Sequence, residues 1–179
     1  MSLKEITKDL HEIAEKTKFA QLLLSGEISV EQYATYLHQI IPVYSLIESS
    51  CRDQGFFKNL PGLERTTLVY QDYFELTGND FNISLLPGTV EYCKYLLDLN
   101  SDPDKRSSIK AHLYCRHMGD LYGGQMIKRR VPGSGNFYKF ENPADLKMKI
   151  REELTDDLGE EARVAFEWAI RMMKELCSE

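Results

Sequence analysis

The sequence predicts an all-α protein, a single-domain multi-helix bundle that spans residues 1–179. Three observations support this prediction. Apolar residues recur at helical spacing along the chain, and capping residues, glycines and prolines separate the helical segments. The chain has no alternating strand pattern of useful length, no internal repeat and no low-complexity linker. Its 179 residues are enough to bury one sizeable core.

The first predicted helix covers residues 3–24, where apolar side chains form one stripe. The stripe consists of Leu3, Ile6, Leu10, Ala14, Thr17 and Leu24. Gly26 follows the helix and ends it. Residues 29–32 form a capping box that opens a second helix, which is predicted to run to about Gln54. Pro42 lies inside this helix and is expected to kink it.

Glycines and prolines define the next two helices. A third helix is predicted after the Pro-Gly pair at residues 61–62 and runs to Leu76, because Gly78 stops it. A second Pro-Gly pair, at residues 87–88, precedes a fourth helix that continues through Leu99. Both segments have the length of ordinary globular helices.

The C-terminal half begins with a long glycine-containing helix, predicted from residues 101–103 to about Val131. A proline- and glycine-rich loop follows it, and residues 137–140 are predicted to be a short extended piece. Another helix is predicted over residues 142–158. A glycine separates it from the last helix, over residues 160–176.

Composition excludes several classes of protein. The net charge of -6 argues against nucleic acid as a partner. No run of about 18 apolar residues is present, so we expect no membrane span. The N-terminus has no signal-peptide pattern, which favours a cytoplasmic protein. The four cysteines form no Cys-x-x-Cys pair and are expected to be free thiols.

Three glycines in the long helix need an explanation, because each interior glycine costs a helix about 1 kcal/mol relative to alanine. Gly119 and Gly123 are four residues apart and share one face, and Gly124 follows. This face suits close approach of something flat and wide, such as a cofactor, and it equally suits tight helix packing. Asp120 lies beside the face, and Arg116 is one turn earlier, where the two can pair.

His11 is a candidate metal ligand on the flank of the first apolar stripe. The alternative is a partly buried structural histidine. Helical bundles often bind two metal ions through Glu-x-x-His pairs, but the sequence contains none. A heme bound through one histidine is therefore the more economical metal hypothesis.

Polar side chains on two predicted helices are candidates for a network beside a cavity. They are Tyr44, Tyr114, Arg116 and Asp120. Ordinary amphipathic packing is the alternative, because the chain contains ten tyrosines.

Cations near helix ends are candidate sites for anionic groups such as carboxylates. They are Lys4, Lys147 and Arg151, for which solvated surface charge is the alternative. The basic run at residues 128–130 either docks an acidic partner or caps a helix C-terminus.

Three stretches together resemble the heme oxygenase family. Residues 3–15, which end His-Glu-Ile-Ala-Glu, resemble the segment with the family's proximal heme-ligating histidine. Residues 112–125 contain Arg-His-Met-Gly-Asp-Leu-Tyr-Gly-Gly-Gln and resemble the distal helix motif Arg-Tyr-Leu-Gly-Asp-Leu-Ser-Gly-Gly-Gln. Residues 147–151 resemble the segment that binds the heme propionates. Weaker similarity at residues 44–48 and 160–176 extends the match over nearly the whole chain.

The resemblance implies that heme lies between the first, proximal helix and a kinked, glycine-rich distal helix. His11 would be the iron ligand, with Glu15 close to it. Gly119 and Gly123 would let the distal helix backbone lie over the porphyrin face.

The resemblance also implies roles for the polar side chains. Asp120 would hold a water network that supplies protons to oxygen in the pocket, together with Tyr44 and Arg116. Four residues would anchor the propionates and direct cleavage to the α meso carbon. They are Lys4, Tyr114, Lys147 and Arg151.

The chain departs from the family's pattern at several positions. Tyr122 stands where the motif usually has serine, and His117 and Met118 replace its Tyr-Leu pair. Ala169 stands where relatives often have an asparagine of the network. These departures concern the distal network and leave the iron ligand unchanged. His117 adds a second histidine near the pocket.

The expected function is therefore oxidative cleavage of heme b, which is both substrate and prosthetic group, to biliverdin, carbon monoxide and ferrous iron. The reaction would use O2 and electrons from an external donor. The resemblance to relatives from photosynthetic organisms implies ferredoxin as the soluble donor, a bilin reductase downstream, and a monomer. Two alternatives remain: a non-catalytic heme-binding or trafficking protein, and a metal-free small-molecule-binding protein of the same bundle topology.

Overall fold

The computed structural model describes residues 2–78 and 82–178, and within these ranges the chain is helical and contains no strand. Ten α-helices are present in this part of the chain. They are α1 (Leu3–Ile6), α2 (Lys8–Glu15), α3 (Lys18–Ser25), α4 (Val30–Asp53), α5 (Thr66–Thr77), α6 (Pro87–Ser101), α7 (Ile109–Tyr122), α8 (Gly124–Ile127), α9 (Pro143–Glu153) and α10 (Gly159–Leu176). Short 3-10 turns occur at Phe56–Asn59, Arg106–Ser108, Asn136–Tyr138 and Asp156–Leu158. The prediction of an all-helical fold is confirmed.

The predicted continuous helix over residues 3–24 is wrong, because the chain breaks it into α1, α2 and α3. Thr7 ends α1 and donates its hydroxyl to the carbonyl of Leu3. Thr17 adopts extended backbone angles and caps α3 by accepting the N–H of Ala20. Both threonines are buried, so the apolar stripe passes through the breaks without a visible interruption.

Several predicted helix ends are confirmed. Ser29 and Gln32 form both hydrogen bonds of a capping box at the start of α4. Gly26 follows α3 and Gly78 follows α5, and both have positive φ angles that few other residues adopt. Pro42 lies inside α4, which continues past it to Asp53.

The predictions for the C-terminal half need three corrections. The long helix starts only at Ile109, after a 3-10 turn, and it divides at Gly123 into α7 and α8. Residues 137–140 are not extended throughout, because Asn136–Tyr138 is a 3-10 turn. The helix predicted over residues 142–158 ends at Glu153, where Leu154 is extended, and a 3-10 turn follows.

The packing is organised by α4 and α10. Helix α4 packs against α5, α6 and α7, and twelve of its side chains are buried. Helix α10 packs against α2, α3, α6 and α7. Its first residue, Gly159, lies so close to Ile6 that an added Cβ would be 2.7 Å from the Ile6 Cδ1 atom. The C-terminal helix therefore holds the short N-terminal helices against the glycine-containing helix.

Two apolar clusters fill the interior. The larger one surrounds α4, and the smaller one joins α2, α7 and α10. The smaller cluster consists of Leu10, Ala14, Cys115, Ala165, Phe166, Ala169 and Ile170. Ala169, the position where relatives often have asparagine, is thus buried among apolar side chains. Within residues 2–78 and 82–178, none of the helices combines the length and apolar character needed to cross a membrane.

Candidate functional site: the distal helix and its surroundings

Tyr44 and Asp120 form the buried polar centre of the site. The Tyr44 hydroxyl, on α4, donates to Asp120 Oδ2, on α7, at 2.7 Å. Tyr44 is 1% exposed and Asp120 6% exposed. The two residues are 76 positions apart, so the packing of α4 against α7 brings them together. The sequence-predicted proximity of these two side chains is present in the structure.

Burial raises the pKa of Asp120 to about 6, from an ordinary value of 3.8. This value already includes the opposing influence of His117, of the hydrogen bond from Tyr44, and of the positive charges of Arg116 and Arg65. Burial also raises the pKa of Tyr44 well above its ordinary value, so its hydroxyl stays protonated and donates. Asp120 is thus an acid that exchanges its proton close to neutral pH.

The raised pKa of Asp120 predicts how the stability of the folded protein depends on pH. Because the folded protein binds the Asp120 proton more tightly than the unfolded chain, the carboxyl contributes most to stability below about pH 4. That contribution is lost as the pH rises through about 6. The variant Asp120→Asn keeps an acceptor for Tyr44 and carries no charge. We expect it to be more stable than the parent at about pH 8, on the order of 2–3 kcal/mol. Thermal unfolding of the parent and of Asp120→Asn at about pH 8 and about pH 4 checks this. An equal gain in stability at both pH values would contradict it.

Arg116 does not pair with Asp120, which corrects the expectation from their spacing. Arg116 is buried, and its guanidinium lies 5.6 Å from the centre of the Tyr92 ring. One of its terminal nitrogens contacts the Met172 sulfur at 3.1 Å. Its Nε atom has no hydrogen-bond partner in the described part of the chain. Packing of α7 against α6 and α10 therefore gives this side chain other partners, the Tyr92 ring and the Met172 sulfur.

Space around the three glycines differs. A Cβ atom added at Gly119 would meet nothing within 4 Å, so the helix surface is bare and open there. Gly123 is also exposed, and an added Cβ would meet the Gly119 carbonyl at 3.3 Å. Gly124 faces inward, where a Cβ would lie 2.5 Å from the Tyr138 ring. The sequence alone is compatible with two roles for these glycines, the close approach of a cofactor and tight helix packing. Gly124 is a packing glycine, whereas Gly119 is not.

His11 lies on α2 with its side chain 55% exposed, so it is not the partly buried structural histidine of the alternative reading. Its Nδ1 atom is 3.5 Å from Glu15 Oε1, one turn along the helix. Its ring contacts Phe166 of α10 edge-on, with 6.0 Å between ring centres. The contact with Glu15 suits a histidine whose other ring nitrogen binds a metal.

Lys147 and Arg151 converge on one aromatic side chain. The Lys147 Nζ atom lies 3.9 Å from the centre of the Tyr122 ring, and Arg151 donates to the Tyr122 hydroxyl. Tyr122 lies on α7 and the two cations on α9, so the structure brings these predicted anchors to the glycine-bearing helix. Lys4 is exposed on α1, and Tyr114 is half-buried on α7.

The sequence analysis missed the partner of His117. Its Nε2 atom lies 2.8 Å from Glu48 Oε1, and both side chains are buried. Glu48 is one turn after Tyr44 on α4, a helix with twelve buried side chains, where a buried carboxylate requires a partner. That position was a usable signal for a buried charge pair. Only the fold shows that the partner is 69 residues away.

No cluster of three or more His, Cys, Asp or Glu side chains that could hold a metal ion occurs within residues 2–78 and 82–178. The four cysteines form no disulfide, and two of them, Cys51 and Cys115, are buried. The site therefore offers one exposed histidine, a bare helix face, a buried acid and surface cations.

Comparison with known proteins identifies the family. The family model described as heme oxygenase matches residues 1–175. Heme oxygenase 2 of Oryctolagus cuniculus is 28% identical over 97% of this chain and 64% of that protein. Heme oxygenase of the alga Porphyra purpurea is 26% identical over 98% of this chain and 85% of that protein. The chain thus spans less than two thirds of the rabbit protein and most of the algal one.

Solved structures show the same fold. The heme complex of heme oxygenase-1 from the cyanobacterium Synechocystis superposes with a TM-score of 0.83 at 23% identity, covering 97% of this chain and 90% of that one. Heme oxygenase from Leptospira interrogans gives 0.82 at 21% identity, covering 98% and 100%. Because the family model covers nearly all of the sequence, this chain belongs to the heme oxygenase family.

Proposed function

We propose that this chain is a heme oxygenase. The observation that supports this most is the buried hydrogen bond from Tyr44 to Asp120, next to Gly119 on α7, where the helix face is bare and opens to space. A side-chain-free surface suits a flat macrocycle, and an acid with a pKa of about 6 suits proton supply near neutral pH. The named relatives, including one solved in complex with heme, support the same activity.

The residues present fit heme. His11 is exposed and positioned by Glu15, so it would hold the iron. Lys147 and Arg151 reach the distal helix and would receive the propionates, with Lys4 and Tyr114 as further anchors. Bound heme supplies the redox chemistry and is the substrate, converted with O2 and electrons from an external donor to biliverdin, carbon monoxide and ferrous iron.

The protein's own contribution is orientation and proton supply. Tyr44 holds the Asp120 carboxyl in place, and the ionised acid orders water beside the open face at Gly119. The positive charge of the buried Arg116 lowers the pKa of Asp120. The cations of α9 fix the carboxylate edge of the substrate, and we infer that they direct cleavage to the α meso carbon.

Two glycine variants distinguish the cofactor face from the packing face. Gly119→Ala adds a methyl group to open space, so we expect unchanged or slightly increased apoprotein stability and weaker heme binding. Gly124→Ala forces a methyl group into the Tyr138 ring, so we expect it to cost about 1–3 kcal/mol of stability. Chemical unfolding and hemin titration of both variants check this. Equal heme affinity for Gly119→Ala and the parent would contradict the assignment of the bare face.

We infer further that the chain is a cytoplasmic, single-domain monomer that takes electrons from ferredoxin and passes biliverdin to a bilin reductase. The basic run is the proposed ferredoxin-docking site. Lys128 bonds to Gln125, and Arg130 donates to the Leu24 carbonyl at the end of α3. Arg129 is exposed. Arg130 thus caps the end of α3, and Arg129 is the cation that supports docking.

Hemin titration of the purified protein tests the proposal against its alternatives. A Soret band with one-to-one stoichiometry is expected. The absence of this band would favour a protein that binds a small molecule without metal. A Soret band that persists in air with reductant would favour a heme carrier.

A further inference from the structure

Two buried histidines lie five residues apart on α7, and the Nε2 atom of each contacts a glutamate. His112 and His117 are both fully buried, and each has its Nε2 atom 2.8 Å from a glutamate oxygen. The glutamates are Glu161 on α10 and Glu48 on α4. The two rings differ at Nδ1. For His112 it meets the Tyr92 hydroxyl at 2.7 Å, and for His117 it meets the carbonyl oxygen of Leu113 at 3.2 Å.

The surroundings of His112 suit a neutral ring. A tyrosine hydroxyl donates a hydrogen bond to an unprotonated Nδ1, while Nε2–H donates to Glu161. Burial lowers the pKa of His112, although the interaction with Glu161 opposes this. Both ring nitrogens of His112 thus have hydrogen bonds while the ring is neutral.

The surroundings of His117 require a charged ring. A carbonyl oxygen only accepts, so Nδ1 must have a proton. Glu48 accepts the backbone N–H groups of Arg65 and Thr66 at 2.5 and 3.0 Å and the Thr66 hydroxyl at 2.5 Å. A carboxyl that accepts three such bonds is ionised, so Nε2 must donate to it as well. Both nitrogens of His117 therefore have protons.

The charged ring lies next to the polar centre of the site. The centre of the His117 ring is 5.2 Å from that of the Tyr44 ring, whose hydroxyl donates to Asp120. We propose that His117 is a buried imidazolium held by Glu48, and that it acts as a positioning residue that orients Tyr44 and keeps Asp120 ionised. The family motif usually has tyrosine at this position, so the charge is a property of this chain.

Besides His117, other titratable groups interact with Asp120 and influence its pKa. These are Tyr33, Tyr36 and Tyr44 on α4, Arg65 before α5, Tyr138 in a 3-10 turn, and Cys115 and Arg116 on α7 itself. Only His117 and the two arginines are positive. Of the groups that oppose the effect of burial on the pKa of Asp120, His117 has the largest influence.

Nitrogen-15 NMR of the unmodified apoprotein tests the charge directly. With ¹⁵N-labelled histidine, four side chains are visible. We expect one buried ring with both nitrogens protonated at about pH 7.5, and this signal should be lost in His117→Gln. The His112 signal should show one protonated nitrogen. A neutral His117 ring at this pH would overturn the proposal.

The effect on Asp120 is measured by carboxyl ¹³C NMR across pH. In His117→Gln the Asp120 titration should move upward by on the order of one unit, since charges about one helical turn apart interact this strongly inside a protein. His112→Gln is the matched control, because it removes a buried ring with the same distance to a glutamate but no charge. It should leave the Asp120 titration in place. Equal titrations in all three proteins would overturn the positioning role.

If His117→Gln folds poorly because Glu48 is left charged and buried, the double variant Glu48→Gln with His117→Gln removes both charges. It should fold and show a smaller upward shift than His117→Gln, because the negative charge of Glu48 is lost together with the positive charge. An Asp120 titration at or below that of the parent in this double variant would overturn the proposal. The role of Asp120 in this inference rests on the proposed function, but both NMR readouts use protein without heme. A protein that shows both NMR results and yet forms no biliverdin would therefore contradict the proposed function alone.

Discussion

Replacing Asp120 with alanine is expected to lower the rate of biliverdin formation by about 100-fold or more, because general acid–base assistance contributes about 10²–10⁴. The substitution removes the acid that Tyr44 holds at 2.7 Å and leaves its hydroxyl buried without an acceptor. Heme binding through His11 should persist. Turnover of hemin-loaded protein with reductant in air, followed by the Soret band and by biliverdin absorbance, checks this.

Two matched variants separate proton supply from folding. Asp120→Asn keeps the shape and the acceptor for Tyr44 and should be nearly as inactive as alanine. Tyr44→Phe keeps the acid and removes its hydrogen bond, so it should retain more activity, with the acidic limb of the pH profile moved upward. An Asp120→Ala protein that forms biliverdin at the parent rate would exclude the acid from the mechanism.

His11→Ala is expected to remove the normal iron ligand, with heme affinity lowered by at least about 10–100-fold. The Soret band should shift, and biliverdin formation should be lost. Because the His11 side chain is 55% exposed, the melting temperature of the apoprotein should barely change. Hemin titration and thermal unfolding of the same preparation provide both readouts.

Added imidazole provides the control for His11→Ala. If the histidine acts only as a ligand, imidazole should restore the parent-like spectrum and part of the activity. Glu15→Gln should give a smaller change, because it alters only the contact 3.5 Å from Nδ1. A normal Soret band in His11→Ala without imidazole would show that another group binds the iron.

The helical fold could be predicted because local signals mark most of its helices. The Ser29 capping box and the glycines at positions 26 and 78 define helix ends through hydrogen bonds and backbone angles within a few residues. The breaks at Thr7 and Thr17 could not be predicted from periodicity. Each threonine is buried and keeps the apolar stripe intact while its hydroxyl bonds to a nearby backbone group.

The site could be predicted in part. The bare face at Gly119 and the nearby acid follow from spacing within one helix, and the resemblance to the family placed Tyr44 beside Asp120. The assumed pairing of Arg116 with Asp120 is wrong, because the packing of α10 offers Met172 and the Tyr92 ring instead. The pairing of His117 with Glu48 joins residues 69 positions apart, and no local pattern shows such a contact.

A single-turnover reaction of the hemin complex tests the central claim most directly. The purified protein is loaded with one equivalent of hemin and reduced in air, in parallel samples with ascorbate and with ferredoxin and its reductase, and the products are separated by chromatography. We predict decay of the Soret band, release of carbon monoxide, and biliverdin as its α isomer. A Soret band that persists, or that decays without biliverdin and carbon monoxide, would contradict the assignment as a heme oxygenase.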